Sequence, residues 1–263
     1  MATKDVVVRR YVHGKHIYVA ELCRPSVKNA FNNQMYSQLT QAIEEYEAND
    51  DLHALVITGS GQYFSSGGDI SQGLSVDEQG KPVLPSKNFT RKLMEAMVKC
   101  PKILVAAVNG PAIGFGVTML MHCDFVFAVE TATFWTPFMR LGMVPEFGAT
   151  YTFPHVLGPR LANDMLMRSR RINAQCALTH GLVSHVFPVE GFLAKVFEDL
   201  EPMVNTPTTA KNLPTYKRLL RREDEPRVRE AIHVEYLELD RFFVTVLSQQ
   251  RGNSLIKSVK SKL

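Results

Sequence analysis

The sequence predicts an α/β fold in which helices flank a parallel sheet and a mostly helical region follows. Three observations predict it. Short, wholly apolar runs at Leu55-Val56-Ile57, Ile103 to Val108 and Phe125 to Val129 read as strands buried on both faces. Between them, apolar residues recur at three- and four-residue steps, so strand and helix alternate. Beyond Gly191 the pattern is almost entirely helical.

Taken in order, Val6-Val7-Val8 and Ile17-Tyr18-Val19 flank His13-Gly14 and predict a β-hairpin. Asn32 or Asn33 caps a helix whose Met35, Leu39, Ile43 and Tyr46 share a face, ending near Ala48. The strand at 55–57 ends in Thr58-Gly59-Ser60-Gly61, and Ser71 to Ser86 reads as a mobile polar loop. A helix then runs to about Lys99, where Pro101 stops it. After the strand at 103–108, Asn109-Gly110-Pro111 makes a turn and Gly114 to His122 a helix. Two short helices between Gly158 and Leu182 precede a last strand at Val183 to Phe187. Arg227 to Leu247 forms a long helix with Val228, Ile232, Tyr236, Leu239 and Phe243 in one stripe. That stripe suits a subunit contact and packing on its own core equally well.

Composition narrows the function. Of the 263 residues 45% are hydrophobic and 21% charged, as in an ordinary globular chain. The net charge of +4 is too small to argue for a nucleic-acid binder without a concentrated patch. Arg168-Ser169-Arg170-Arg171 and Arg218 with Arg221-Arg222 are short basic clusters that read as solvated faces or phosphate neighbours. No apolar run approaches bilayer-spanning length and no signal core opens the chain. Cys23, Cys100, Cys123 and Cys176 are scattered without zinc spacing, which suggests reduced intracellular thiols and no metal. Ser261-Lys262-Leu263 reads as a peroxisomal address recognised by an import receptor.

Several catalytic signatures are missing. There is no P-loop, no H-E-x-x-H and no G-x-S-x-G, and Met119 replaces the third glycine after Gly114-Phe115-Gly116. Adjacent His122 and Cys123 read as buried packing. Three segments stand out together. Phe64-Ser65-Ser66-Gly67-Gly68-Asp69-Ile70 is a turn in which backbone N–H groups can converge on an anionic oxygen. Asn109 to Gly116 joins a buried strand to a helix N-terminus with unpaired N–H groups. Glu146 is a single acid among Met143, Val144 and Phe147. Two donor turns and one apolar-ringed carboxylate suit removal of a proton next to a carbonyl, with the donors holding the enolate oxygen.

With those residues in view, the run from Ala54 to Pro188 resembles the enoyl-CoA hydratase/isomerase (crotonase) superfamily. The matching pieces are ALVITGSGQYFSSGGDI, VAAVNGPAIGFGVTMLMHCDFVFA, TPFMRLGMVPEFGATYTFPHVLG and AQCALTHGLVSHVFP, preceded by Arg24-Pro25 and Lys28-Asn29-Ala30-Phe31. The resemblance implies a spiral of ββα turns over residues 1–200 and a C-terminal helical region over 201–263 that makes trimers or hexamers. It implies backbone oxyanion donors at Gly68 and Phe115 and contacts to the coenzyme A part of the substrate at Ser66, Gly67, Asp69 and Ile70. Arg24 and Lys28 would meet its phosphates.

The acids select within the superfamily. Hydratases carry two glutamates, and at those positions this chain has Thr118 and Phe138, the latter then a lining residue. The acid at Glu146 resembles the peroxisomal Δ3,Δ2-enoyl-CoA isomerases, whose P-E-G or T-E-G stretch here reads Pro145-Glu146-Phe147. The implied reaction is a single-glutamate 1,3-proton shift on an acyl-CoA thioester, with no cofactor beyond the substrate's own coenzyme A. The implied setting is a peroxisome or related organelle such as the glycosome, with no nucleic-acid partner. The alternatives are another acyl-CoA reaction, hydration or thioester hydrolysis, and a non-catalytic acyl-CoA- or RNA-binding crotonase fold.

Overall fold

In the computed structural model of the protein, residues 6–69, 83–84 and 87–248 are described. The fold is built on a six-stranded sheet. Strand β1 (Val8–His13) turns back on β2 (Ile17–Leu22) as an antiparallel hairpin. Next come β3 (Ala54–Gly59), β4 (Ile103–Val108), β6 (Phe125–Val129) and β9 (His185–Phe187), all parallel to β2. Every residue of β3 and β4 is buried, which is why these strands read as continuous apolar runs rather than alternating ones. Val19, Val56, Val105 and Phe125 lie side by side across four strands.

Helix α1 (Asn33–Ala48) follows the hairpin, and Asn32 caps it by accepting a hydrogen bond from the Met35 amide. Helix α2 (Phe89–Lys99) is capped in the same way by Asn88 and packs against α1. The loop expected at 71–86 lies almost wholly outside the described residues, as does Ile70.

A second sheet, which the sequence did not announce, joins β5 (Ala112–Ile113), β7 (Thr133–Trp135) and β8 (Ile172–Asn173). Its strands are two or three residues long, too short to carry a period. The helix expected at 114–122 is a single α turn, α3 (Phe115–Thr118), running into a 3₁₀ turn at Met119–His122. Helices α4 (Phe138–Leu141) and α5 (Ala149–Leu157) follow β7. The two helices expected between 158 and 182 are α6 (Pro159–Leu166) and α7 (Ala174–Thr179), with β8 between them. The last strand starts at His185 rather than Val183.

The C-terminal helices are α8 (Phe192–Val204), α9 (Pro207–Arg221) and α10 (Asp224–Ser248). The α10 stripe packs on this chain's own core: Val228, Ile232, Tyr236 and Leu239 are buried and Phe243 packs against the cluster. Helix α9 is fixed to the sheet by charge. Lys217 Nζ lies 2.8 Å from Asp124 and donates to the Lys102 carbonyl, while Arg221 pairs with the same carboxylate at 2.9 Å. No helix among the described residues is long and apolar enough to cross a membrane.

Candidate active site

Two backbone turns come together first. The segment 64–68 leaves β3 and runs beside β5. Phe64 and Ser65 amides donate to the Pro111 carbonyl, and Ile113 donates to Ser65. At Gly67 (φ +86°) a Cβ would stand 2.7 Å from the Ile113 carbonyl oxygen and 3.5 Å from the Phe115 nitrogen, so only glycine permits this approach.

The local hydrogen bonds decide which amides remain available. Gly67 N–H is used by the buried Ser65 hydroxyl and Asp69 N–H by the Phe31 carbonyl. Gly114 donates to Trp135, and Val117 and Thr118 donate to Gly114. The amides of Gly68, Phe115 and Gly116 are the donors of these turns with no acceptor among the described residues. Gly68 is exposed, and Phe115 opens a helical turn whose first amides have no intrahelical partner.

The acid arrives on the segment between α4 and α5. Glu146 is half-buried, between the partly buried Pro145 and the fully buried Phe147. Burial, and secondarily the negative charge of Glu235, push its carboxyl up to about 7. Its charge in turn raises the phenols of Tyr36 on α1 and Tyr236 on α10, both already raised by burial.

Phe147 departs from the glycine of the related motif, yet takes the conformation glycine would: φ is 63°, followed by Gly148 at 71°. A left-handed phenylalanine costs about 1–2 kcal/mol. Its ring is the compensation. It stacks at 3.9 Å on His122 and at 5.5 Å on Phe115, and its carbonyl meets His122 Nε2 at 2.7 Å. Burial holds the His122 imidazole down to about 3, so it stays neutral. The packing expected of His122 is therefore present, but it packs against the acid's own loop.

Glu235, which sequence reasoning missed, fixes the other end of this loop. It is buried on α10 and accepts from Gly148 N at 2.6 Å, Thr150 N at 2.8 Å and Thr150 Oγ1 at 2.7 Å. It thus serves as the N-terminal cap that α5 lacks in its own sequence.

The remaining expected positions fall around these turns. Thr118 is buried and spends its hydroxyl on the Phe115 carbonyl, and Phe138 is buried at the start of α4. Arg24 and Asp69 form an ion pair at 3.0 Å, and Arg24 also donates to Ala30. Lys28 sits at φ 55° with its ammonium 5.1 Å from the Tyr63 ring centre, and Ser66 donates from N to Lys28 O and from Oγ to Val27 O. Among the described residues no group of three His, Cys, Asp or Glu side chains could hold a metal ion.

The sequence profile described as "Enoyl-CoA hydratase/isomerase" matches residues 13–254. The chain belongs to the enoyl-CoA hydratase/isomerase family. Among curated members of that family, it is 35% identical over 245 residues to human "Enoyl-CoA delta isomerase 2", covering 91% of this chain and 60% of that protein. It is 39% identical over 179 residues to "Enoyl-CoA delta isomerase 3, peroxisomal" of Mus musculus, covering 68% of this chain and 56% of that one. The chain therefore spans somewhat over half the length of these relatives. A solved enoyl-CoA hydratase/isomerase from Pseudoalteromonas atlantica superposes with a TM-score of 0.82 at 28% identity, covering 97% of this chain and 96% of the other.

Proposed function

We propose that this chain is a Δ3,Δ2-enoyl-CoA isomerase, moving a 3-cis or 3-trans double bond of an enoyl-CoA thioester to the 2-trans position. One observation carries the reading. Phe147, next to Glu146, stacks on Phe115, whose amide has no acceptor among the described residues, so the acid's loop and the Phe115 turn form one packed unit. The hydratase pair of glutamates is absent, since Thr118 and Phe138 stand there.

The thioester oxygen accepts from Gly68 N–H and Phe115 N–H, which makes the C2 hydrogens acidic. Ionised Glu146 takes one proton from C2, and the electron pair spreads over a dienolate whose oxygen the two amides hold. The same carboxyl then gives the proton to C4, and the double bond closes between C2 and C3. A carboxyl near pKa 7 suits both halves, being basic enough to accept and acidic enough to return. Arg24, Lys28, Ser66, Gly67, Asp69 and Ile70 would meet the coenzyme A part, and Phe138 would line the acyl path. No metal or redox cofactor enters this reading. A trimeric or hexameric assembly belongs to the same proposal, as does a peroxisomal location suggested by the name of the mouse relative.

The test is incubation of 3-cis- and 3-trans-enoyl-CoA in ¹⁸O-water. Formation of 2-trans-enoyl-CoA without oxygen incorporation is expected; a hydroxyacyl product or free acid carrying ¹⁸O would overturn the reading.

A further inference from the structure

The sole tryptophan of the chain, Trp135 on β7, faces a cavity of about 430 Å³ whose lining includes neither Glu146 nor Gly68 nor Phe115. The cavity is lined by Trp135, Arg140, Ser169 and the three arginines Arg168, Arg170 and Arg171. Arg171 lies 4.7 Å and Arg140 5.7 Å from the centre of the indole ring. Arg168 and Arg170 share one carboxylate, Asp164, at 2.8 and 2.9 Å. Arg168, Arg170 and Arg171 concentrate positive charge at this cavity, with Asp164 the carboxylate that Arg168 and Arg170 share, in a chain whose whole excess is +4.

Ser169 supplies the second observation. It is buried, adopts φ 51°, and its carbonyl accepts from the Trp135 indole N–H at 2.9 Å. Its hydroxyl is buried without a hydrogen-bond partner among the described residues. A non-glycine residue held left-handed, with a buried, orphaned hydroxyl, among the residues that line an arginine-rich cavity, is a group prepared for something absent.

We infer that this cavity is an anion site for a phosphoryl group, held by forked hydrogen bonds from Arg171 and its neighbours and by the Ser169 hydroxyl. Planar guanidinium forks match phosphate oxygens in pairs. The site stands on these residues alone and is independent of the proposed isomerase reaction. It backs onto the oxyanion turn, since the Trp135 carbonyl accepts from Gly114 N–H, one residue before Phe115.

The lone tryptophan makes the test direct. Inorganic phosphate is titrated into the full chain at constant ionic strength, with chloride as control, while indole emission is recorded. A saturable change with phosphate alone is expected. It should weaken at least ten-fold in Arg171→Gln and several-fold in Ser169→Gly, a substitution that removes the hydroxyl and suits the backbone. A parallel arm uses phosphatidylcholine vesicles with and without phosphatidic acid. Response to the lipid but not to free phosphate supports the same site and assigns its source to a head group. Identical responses to phosphate and chloride with no lipid response, or an Arg171→Gln protein that binds as wild type, overturn the proposal.

Discussion

To take a proton Glu146 has to be an anion, and its surroundings resist that. A carboxyl whose pKa rises from about 4.5 unfolded to about 7 folded binds its proton more tightly in the native state. Its contribution therefore weakens the fold as pH rises from below the unfolded value through the folded one, by up to about 3 kcal/mol above pH 7. Glu146→Gln removes this load. The variant should match wild type in denaturant stability near pH 4.5 and exceed it at pH 8, while turnover of 3-enoyl-CoA falls by about 10²–10⁴. Equal stability at both pH values would show that the carboxyl is not perturbed. Phe147 presents the opposite balance. Phe147→Gly relieves about 1–2 kcal/mol of backbone strain but empties a fully buried ring site, which costs about 3–5 kcal/mol. Urea titration should show a net loss of about 2 kcal/mol. The acid could be read from the sequence because it is a lone charge among apolar neighbours. The left-handed Phe147 could not, because nothing in its identity favours that conformation.

At the scale of elements, the loop between α4 and α5 is held from one side by His122 and from the other by Glu235 on α10. Glu235 also raises the Glu146 pKa through its charge. Glu235→Gln keeps an acceptor for α5 but removes that charge. The rising limb of kcat/KM against pH should move to lower pH; a limb that stays in place would rule out the coupling. Tyr36 and Tyr236, the other titratable groups facing Glu146, stay neutral across this range. The sequence disclosed the elements that repeat a period for several turns. The strand at Phe125–Val129 and the Asn32-capped helix α1 fall where the pattern placed them. It hid β5, β7 and β8, which are too short, and α5, which carries Pro154 within it. Glu235 was hidden for another reason: its partners lie 85 and 87 residues away, and beside the apolar stripe it reads as one more solvent-facing acid.

Across the whole molecule, helix α9 is bound to the sheet through one buried cluster of charge. Lys217 is buried, and its ammonium neutralises Asp124 at the edge of β6. Lys217→Met leaves that carboxylate with Arg221 and the Leu104 amide alone. Removing one partner of a buried pair costs about 3 kcal/mol or more, and a thermal melt of the variant should show it. An unchanged midpoint would mean that Arg221 alone satisfies Asp124. The α/β class and the helical tail were both legible, since each rests on composition repeated over many residues. How the tail meets the sheet was not, because contacts between distant parts of a chain leave no local periodicity.

Glu235 also sets an order of events during translation. Both amide turns leave the ribosome long before residue 235, and α5 emerges with its N-terminal amides bare. A chain halted near Arg222 would hold the loop that carries Glu146 from the His122 side alone. The second hold on that loop comes only with α10, one of the last parts of the chain to be made.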